Sequence, residues 1–146
     1  MAVIYTIGYK GRSLETLINQ LREAGVDGVI DVRLRNTSHL AGYTKRDDLA
    51  FLLREGFGMA YEHHPELAPS LEIFEAYRDK SDWAAYVASF LPLLEERAAE
   101  EIGREILARY GAPCLLCSEP TAEKCHRRLV AEYWAERLPE LTIVHL

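Results

Sequence analysis

The first thirty-three residues restrict the fold more than any other stretch of the chain. Residues 2–7, Ala-Val-Ile-Tyr-Thr-Ile, are a β-branched and aromatic run of strand length that ends at Gly8. A loop with two glycines, Gly8 and Gly11, leads to Ser13, a side chain suited to capping a helix. Leu14, Leu17, Ile18 and Leu21 then recur at helical spacing until Gly25. Residues 27–33 return to a strand pattern. Strand, helix and strand within about thirty residues form a right-handed crossover unit, so the two strands are parallel.

The rest of the chain extends that unit. Asp47 or Asp48 opens a helix through Leu49, Leu52 and Leu53 to Gly56, and residues 59–62 make a short third strand. Residues 70–110 are mostly helical. Trp83, Tyr86, Val87, Phe90 and Leu94 form an apolar stripe, with Pro92 expected to kink or break the helix. A second helix from about residue 95 carries Ile102, Ile106 and Leu107 to a stop at Gly111 and Pro113. Residues 114–118 are a fourth strand, Thr121 is a candidate cap for a helix reaching about residue 137, and residues 142–146 are a fifth strand. The expected architecture is a single α/β domain over residues 1–146. Its sheet is roughly five-stranded and mainly parallel, with helices on both faces and the first strand central.

Composition narrows the setting. With 146 residues, 49% hydrophobic and 27% charged, the chain suits one core of ordinary globular type. No apolar run reaches membrane-spanning length and the N-terminus lacks a secretory layout, so a cytoplasmic location with no membrane partner is expected. The three cysteines are then reduced thiols. Net charge is −6, which opposes indiscriminate nucleic-acid binding, yet residues 1–46 hold seven Lys and Arg against four Asp and Glu. A basic N-terminal part on an acidic chain suits a small anion site.

The candidate chemistry gathers at residues 114–128, Cys-Leu-Leu-Cys-Ser-Glu-Pro-Thr-Ala-Glu-Lys-Cys-His-Arg-Arg. A strand running into a helix there delivers Cys117, Glu119, Cys125, His126 and Arg127 to one corner. Ligands of parallel α/β sheets sit beyond the carboxyl ends of the strands, beside helix N-termini. Gly8, Lys10 and Arg12 follow the first strand and Arg33 follows the second, so they join the same edge. Asp31, inside an apolar strand, needs a partner, and Arg33, Lys10 or Arg12 can supply one. His126 reads as a candidate general acid or base, leaning toward the packed face of its helix, with Arg127 on another side beside Ala131. Glu119 is a candidate to orient it or activate water, and Asp31 is a third acid–base candidate. Lys10, Arg12, Arg33 and Arg127 are candidate grips on phosphate or carboxylate.

Other readings of the same residues are weaker. Cys114 and Cys117, three apart in a strand, point to opposite faces. Cys117 and Cys125 are possible reactive thiols, Cys125 through a helix N-terminus beside His126 and Arg127. With His126 they supply three zinc ligands, one short of a structural site, so neither metal nor cofactor is expected. His63 and His64 are adjacent on an extended chain and diverge. The Cys-x5-Arg phosphatase loop is missing, since Glu123 stands six after Cys117, and Arg127 follows Cys125 too closely for a rhodanese-type loop.

Thr6-Ile-Gly8 with Lys10-Gly-Arg12, Asp31-Val-Arg33, and Cys117-Ser-Glu119 followed by Cys125-His-Arg127 resemble the family called domain of unknown function 488. The likeness runs over nearly the whole chain, to the C-terminal Val-His-Leu. It implies a small cytoplasmic prokaryotic α/β protein whose activity is not established. The chain departs in the second loop, where Asn36-Thr37-Ser38-His39 replaces the family's Pro and Ser-Arg pair and His39 stands for an arginine. The reading that best joins residues and resemblance is a basic cleft for a phosphate-bearing or other anionic small molecule, with or without turnover. The alternative is a nucleic-acid-interacting module in which Tyr9, Tyr43 and His39 stack on a strand end.

Overall fold

The strand–helix–strand unit at the start of the chain comprises β1 (Ala2–Gly8), α1 (Leu14–Glu23) and β2 (Gly28–Asp31). Ser13 caps α1 by accepting from the Thr16 backbone N–H at 3.1 Å. There follow α2 (Arg46–Phe57), β3 (Ala60–His63), α3 (Leu71–Lys80), α4 (Trp83–Glu96), α5 (Ala99–Arg109), β4 (Pro113–Cys117), α6 (His126–Arg137) and β5 (Leu141–His145). The computed structural model describes residues 2–146, and among them the protein is a single α/β domain with five strands and six α-helices. The strands form one sheet in the order β3-β2-β4-β1-β5, and every pairing is parallel.

Helices cover both faces, as the buried strands require. On one face Ile7, Val29, Cys114 and Leu116 pack under Leu17 and Leu21 of α1 and Leu49 and Leu53 of α2. On the other, Ile4, Ile30, Leu115 and Cys117 pack under Phe90 and Leu94 of α4, Ile106 of α5, and Val130 and Trp134 of α6. The two-residue period of β4 thus sends Cys114 and Cys117 to opposite cores.

Three expectations need correction. The central strand is β4, not β1. All five residues of β4 are buried, whereas β1 lies next to β5, an edge strand with exposed positions. The most continuously apolar strand takes the place enclosed on both sides. Pro92 does not end its helix: α4 runs through it to Glu96, because Pro92 lies on the exposed side, where Ala88 (whose carbonyl it leaves without a helical partner) also faces solvent. The break falls at Ala98, whose left-handed backbone, φ 55°, separates α4 from α5. Thr121 does not cap α6. Residues 118–124 form an irregular turn, and the helix begins at His126 after the extended Cys125, φ −130°.

Because the sheet is all-parallel, the carboxyl ends of its strands share one edge. β1, β4 and β2 are adjacent there, so the loops leaving them are brought together by topology alone. None of the described helices is long and apolar enough to cross a membrane.

Candidate functional site

The end of β2 carries a closed polar network. Asp31 is fully buried and Arg33 is 3% exposed. Arg33 Nη2 and Nε donate to the two Asp31 carboxylate oxygens at 2.7 and 2.8 Å, a bidentate pair. Asn36 Nδ2 and the Tyr61 hydroxyl donate to the same carboxylate. The other side of the guanidinium donates to Thr44 Oγ1 at 3.0 Å and to the Thr44 carbonyl at 2.8 Å. Burial opposes ionisation of Asp31, yet Arg33, Tyr61 and Asn36 together hold its carboxyl below the ordinary range. Of the three partners the sequence offers to Asp31, Arg33 is the one used. Lys10 is exposed, and Arg12 serves elsewhere.

Arg12 is a tie between chain segments. It donates to Gln20 Oε1 and to the carbonyls of Gly8, Pro120 and Leu146. Gly8 is where β1 touches the turn after β4. A Cβ on Gly8 would stand 1.5 Å from the Glu119 carbonyl oxygen, so only glycine permits the approach. Arg127 reaches the same place from α6, donating through Nη1 to the Glu119 carbonyl at 2.7 Å and through Nε to Thr6 Oγ1 at 3.2 Å. Its side chain is fully buried, on the sheet-facing side of α6 with His126, not apart from it. Among the described residues, Arg127 Nη2 is buried without a hydrogen-bond partner.

Between these two regions lies a cleft of about 570 Å³. Its floor is Cys117, Ser118 and Glu119 at the end of β4, with Cys125 and His126 beside them. Its cationic rim is Lys10, Arg78 and Lys124, and its far wall is Phe74 and Tyr77 of α3 with Tyr86 of α4. Arg33 borders it as well. The structure therefore brings Lys10, Arg33, Cys117, Glu119, Cys125 and His126 together. Gly8, Arg12, Asp31 and Arg127 stand behind the lining, where they hold the loops in place.

Inside the cleft, His126 is 3% exposed and boxed edge-on by Phe74 and Phe90, with ring centroids at 5.8 and 6.0 Å. Its Nε2 lies 2.7 Å from the Val32 carbonyl. A carbonyl only accepts, so Nε2 carries the proton and Nδ1 keeps its lone pair. Desolvation pushes the imidazole below its ordinary pKa and keeps it neutral. Val32, not Glu119, orients the ring. Cys117 Sγ lies 3.7 Å from both ring nitrogens. The Cys125 thiol, and with it the backbone N–H groups of Ser118 and Glu119 and the Arg127 charge, favour the Cys117 thiolate and lower its pKa against the opposing effect of burial. Cys125 is shifted the other way by Cys117 and by burial. Cys117, Cys125 and His126 place one potential ligand atom each within 4.8 Å of one another.

Several of these residues escaped the sequence reading. Asn36, Thr44 and Tyr61 saturate Asp31 and Arg33, but they belong to other segments and carry no local signal. Phe74, Tyr77, Arg78 and Tyr86 read as an ordinary apolar stripe and helix surface. Tyr9 and Tyr43, suggested as a stacking platform, pack on each other at 6.4 Å, and the Tyr43 hydroxyl donates to the Arg12 carbonyl.

The fold and this corner define a class: an all-parallel three-layer α/β domain with a cysteine–histidine–arginine turn beyond its central strand. Within it, the chain belongs to the family of the domain of unknown function DUF488, whose model matches residues 13–134. That span holds the Asp31–Arg33 and Cys117–Arg127 motifs, whereas Thr6–Gly8 and β5 lie outside it. No curated protein and no solved structure matches the chain.

Proposed function

We propose that the cleft binds a small phosphate-bearing or carboxylate-bearing molecule and holds it against the cysteine–histidine floor. The supporting observation is a local excess of unpaired positive charge. Lys10 and Lys124 form no ion pair among the described residues, and Arg78 has only a 3.7 Å contact with its neighbour Asp79. Glu119 is the one carboxylate in the lining, and Arg33 is neutralised by Asp31. The rim thus favours an anion on a chain whose total charge is −6. The aromatic wall of Phe74, Tyr77 and Tyr86 suits an apolar or planar part of the same ligand. The free thiols of this reading go with a reducing, cytoplasmic setting.

The test is titration with inorganic phosphate, a mononucleotide and a short single-stranded oligonucleotide at two salt concentrations. Small anions should bind the wild type, and the Lys10→Ala/Lys124→Ala variant should bind them about tenfold more weakly, a loss of about 1.4 kcal/mol. Binding confined to the oligonucleotide, with affinity falling steeply as salt rises, would replace this reading with a nucleic-acid groove. Undiminished binding by the double variant would remove the cleft from the argument.

A further inference from the structure

We infer that Cys117, Cys125 and His126 are the protein ligands of a zinc-type metal site whose fourth coordination position opens into the cleft. The first ground is spacing. Zinc bonds of about 2.3 Å to sulfur and 2.0–2.1 Å to nitrogen at tetrahedral angles put a sulfur–nitrogen edge near 3.6 Å. Cys117 Sγ and His126 Nδ1 are 3.7 Å apart, and all three ligand atoms fall within 4.8 Å of one another. Cys117 Sγ is equally 3.7 Å from Nε2, so the imidazole turns about its Cβ–Cγ bond to bring the Nδ1 lone pair onto a metal between them.

The second ground is the surroundings of the ligands. A ligating histidine ordinarily gives its other N–H to a carbonyl or carboxylate, which sets the tautomer and aims the lone pair. Val32 does this for His126 at 2.7 Å, leaving Nδ1 unprotonated. Phe74 and Phe90 hold the ring on edge. Two thiolates and one imidazole are the donor set that selects zinc over calcium or magnesium.

The third ground is the direction of the empty position. All three ligands line the same cleft, together with Ser118 and Glu119. Three protein ligands and one open place is the pattern of a metal that binds something, in contrast to the closed four-ligand pattern of a structural zinc. Two thiolates balance the dication, and the buried Arg127 nearby adds a positive charge with no carboxylate on it. An anion or hydroxide is therefore the better fourth ligand than a neutral group. This site stands on its own geometry and does not require the anion-binding reading, although the two meet in one cleft.

The experiment uses the full chain, reduced and stripped with a chelator, then titrated with Co(II) and with Zn(II) in competition. One equivalent of cobalt should develop a sulfur-to-metal charge-transfer band and the intense visible bands of a tetrahedral site, and one equivalent of zinc should abolish them. Cys117→Ser and Cys125→Ser, which conserve volume, should each weaken binding at least about a hundredfold. Cys114→Ser, on the opposite face of the sheet, should leave the spectrum unchanged. Lys10→Ala/Lys124→Ala should also leave it unchanged, which separates this site from the anion reading: phosphate binding undiminished in that variant, with the cobalt spectrum intact, fails the anion reading alone. No cobalt spectrum from folded, reduced wild type overturns the metal site. So does a spectrum that survives in the folded Cys117→Ser/Cys125→Ser double variant.

Discussion

Two strand ends lie side by side at the carboxyl edge of this sheet and treat their charges in opposite ways. At the end of β2, Asp31 and Arg33 are as buried as core leucines, and their charges meet a complete set of partners in Asn36, Tyr61 and Thr44. At the end of β4, Arg127 is equally buried, but it meets one carbonyl and one hydroxyl and keeps an unpartnered Nη2. The neighbouring thiols have weak partners only, and the imidazole, held through Nε2 by the Val32 carbonyl, has only the Cys117 sulfur at 3.7 Å near its Nδ1. A saturated network is a structural fastening, because nothing is left to offer a ligand. An unsaturated one is where a ligand has something to complete. Similar composition at adjacent positions thus supports different roles, and satisfaction of the groups tells them apart.

The largest effect should come from breaking the saturated side. Asp31→Ala leaves Arg33 charged, buried and without its carboxylate, which costs about 3–5 kcal/mol. Denaturant unfolding of the variant measures it. A loss under about 1 kcal/mol would mean that the network is not a fastening. Next in size is Gly8→Ala, which sets a methyl 1.5 Å from the Glu119 carbonyl oxygen and must move the turn after β4. We expect a loss of about 3 kcal/mol, at the upper end for overpacking, and an altered spectrum in the cobalt assay, since that turn carries Cys117.

Arg127→Met against Arg33→Met puts the contrast directly. Removing Arg33 strands the Asp31 carboxylate in the core and should again cost about 3–5 kcal/mol. Removing Arg127 strands no described carboxylate. It forfeits two hydrogen bonds, while methionine keeps most of the packing, so the loss should stay near 1–2 kcal/mol. Equal losses in the two variants would show that Arg127 has an anionic partner of its own in the folded protein, with the Cys117 sulfur, whose pKa the Arg127 charge lowers, as a candidate.

The contrast also explains what was legible in the sequence. Gly8, Asp31, Arg33, Cys117 and His126 stand at strand ends that the periodicity locates, so their convergence follows from parallel topology. Which of them is satisfied does not follow. Tyr61 on β3 and Thr44 before α2 reach the pair across 30 and 11 residues of chain, and no pattern in either segment announces it. α6 begins later than the cap chemistry of Thr121 suggests for a related reason. Thr121 has the chemistry of a cap, but Arg127 and Arg12 pin the turn through the Glu119 and Pro120 carbonyls and hold those residues out of helix. The order of strands depended on which apolar run the helices enclose most completely, a property of the assembled layers.

The smallest effect tests whether the saturated network tolerates losing one partner. Tyr61→Phe removes a single hydroxyl donor from Asp31 and leaves the bidentate Arg33 and the Asn36 amide in place. The cost at neutral pH should be that of one hydrogen bond to a charged group with backup, about 1 kcal/mol. Its pH dependence has a definite sign. The folded-state pKa of Asp31 lies below its ordinary value of 3.8, so the folded protein holds its proton less tightly than the unfolded chain does. The stabilisation is therefore complete above about pH 4 and is lost as pH falls through the folded pKa. Tyr61→Phe raises that pKa, because one of the donors that favours the carboxylate is gone. The stability difference between wild type and variant should thus be constant from neutral pH down to about pH 4 and shrink below it. Comparing the two proteins cancels the other carboxylates that titrate in the same range. A difference that holds its size through the acid range would mean that the hydroxyl supports the fold by packing, and that Asn36 and Arg33 alone set the charge of Asp31.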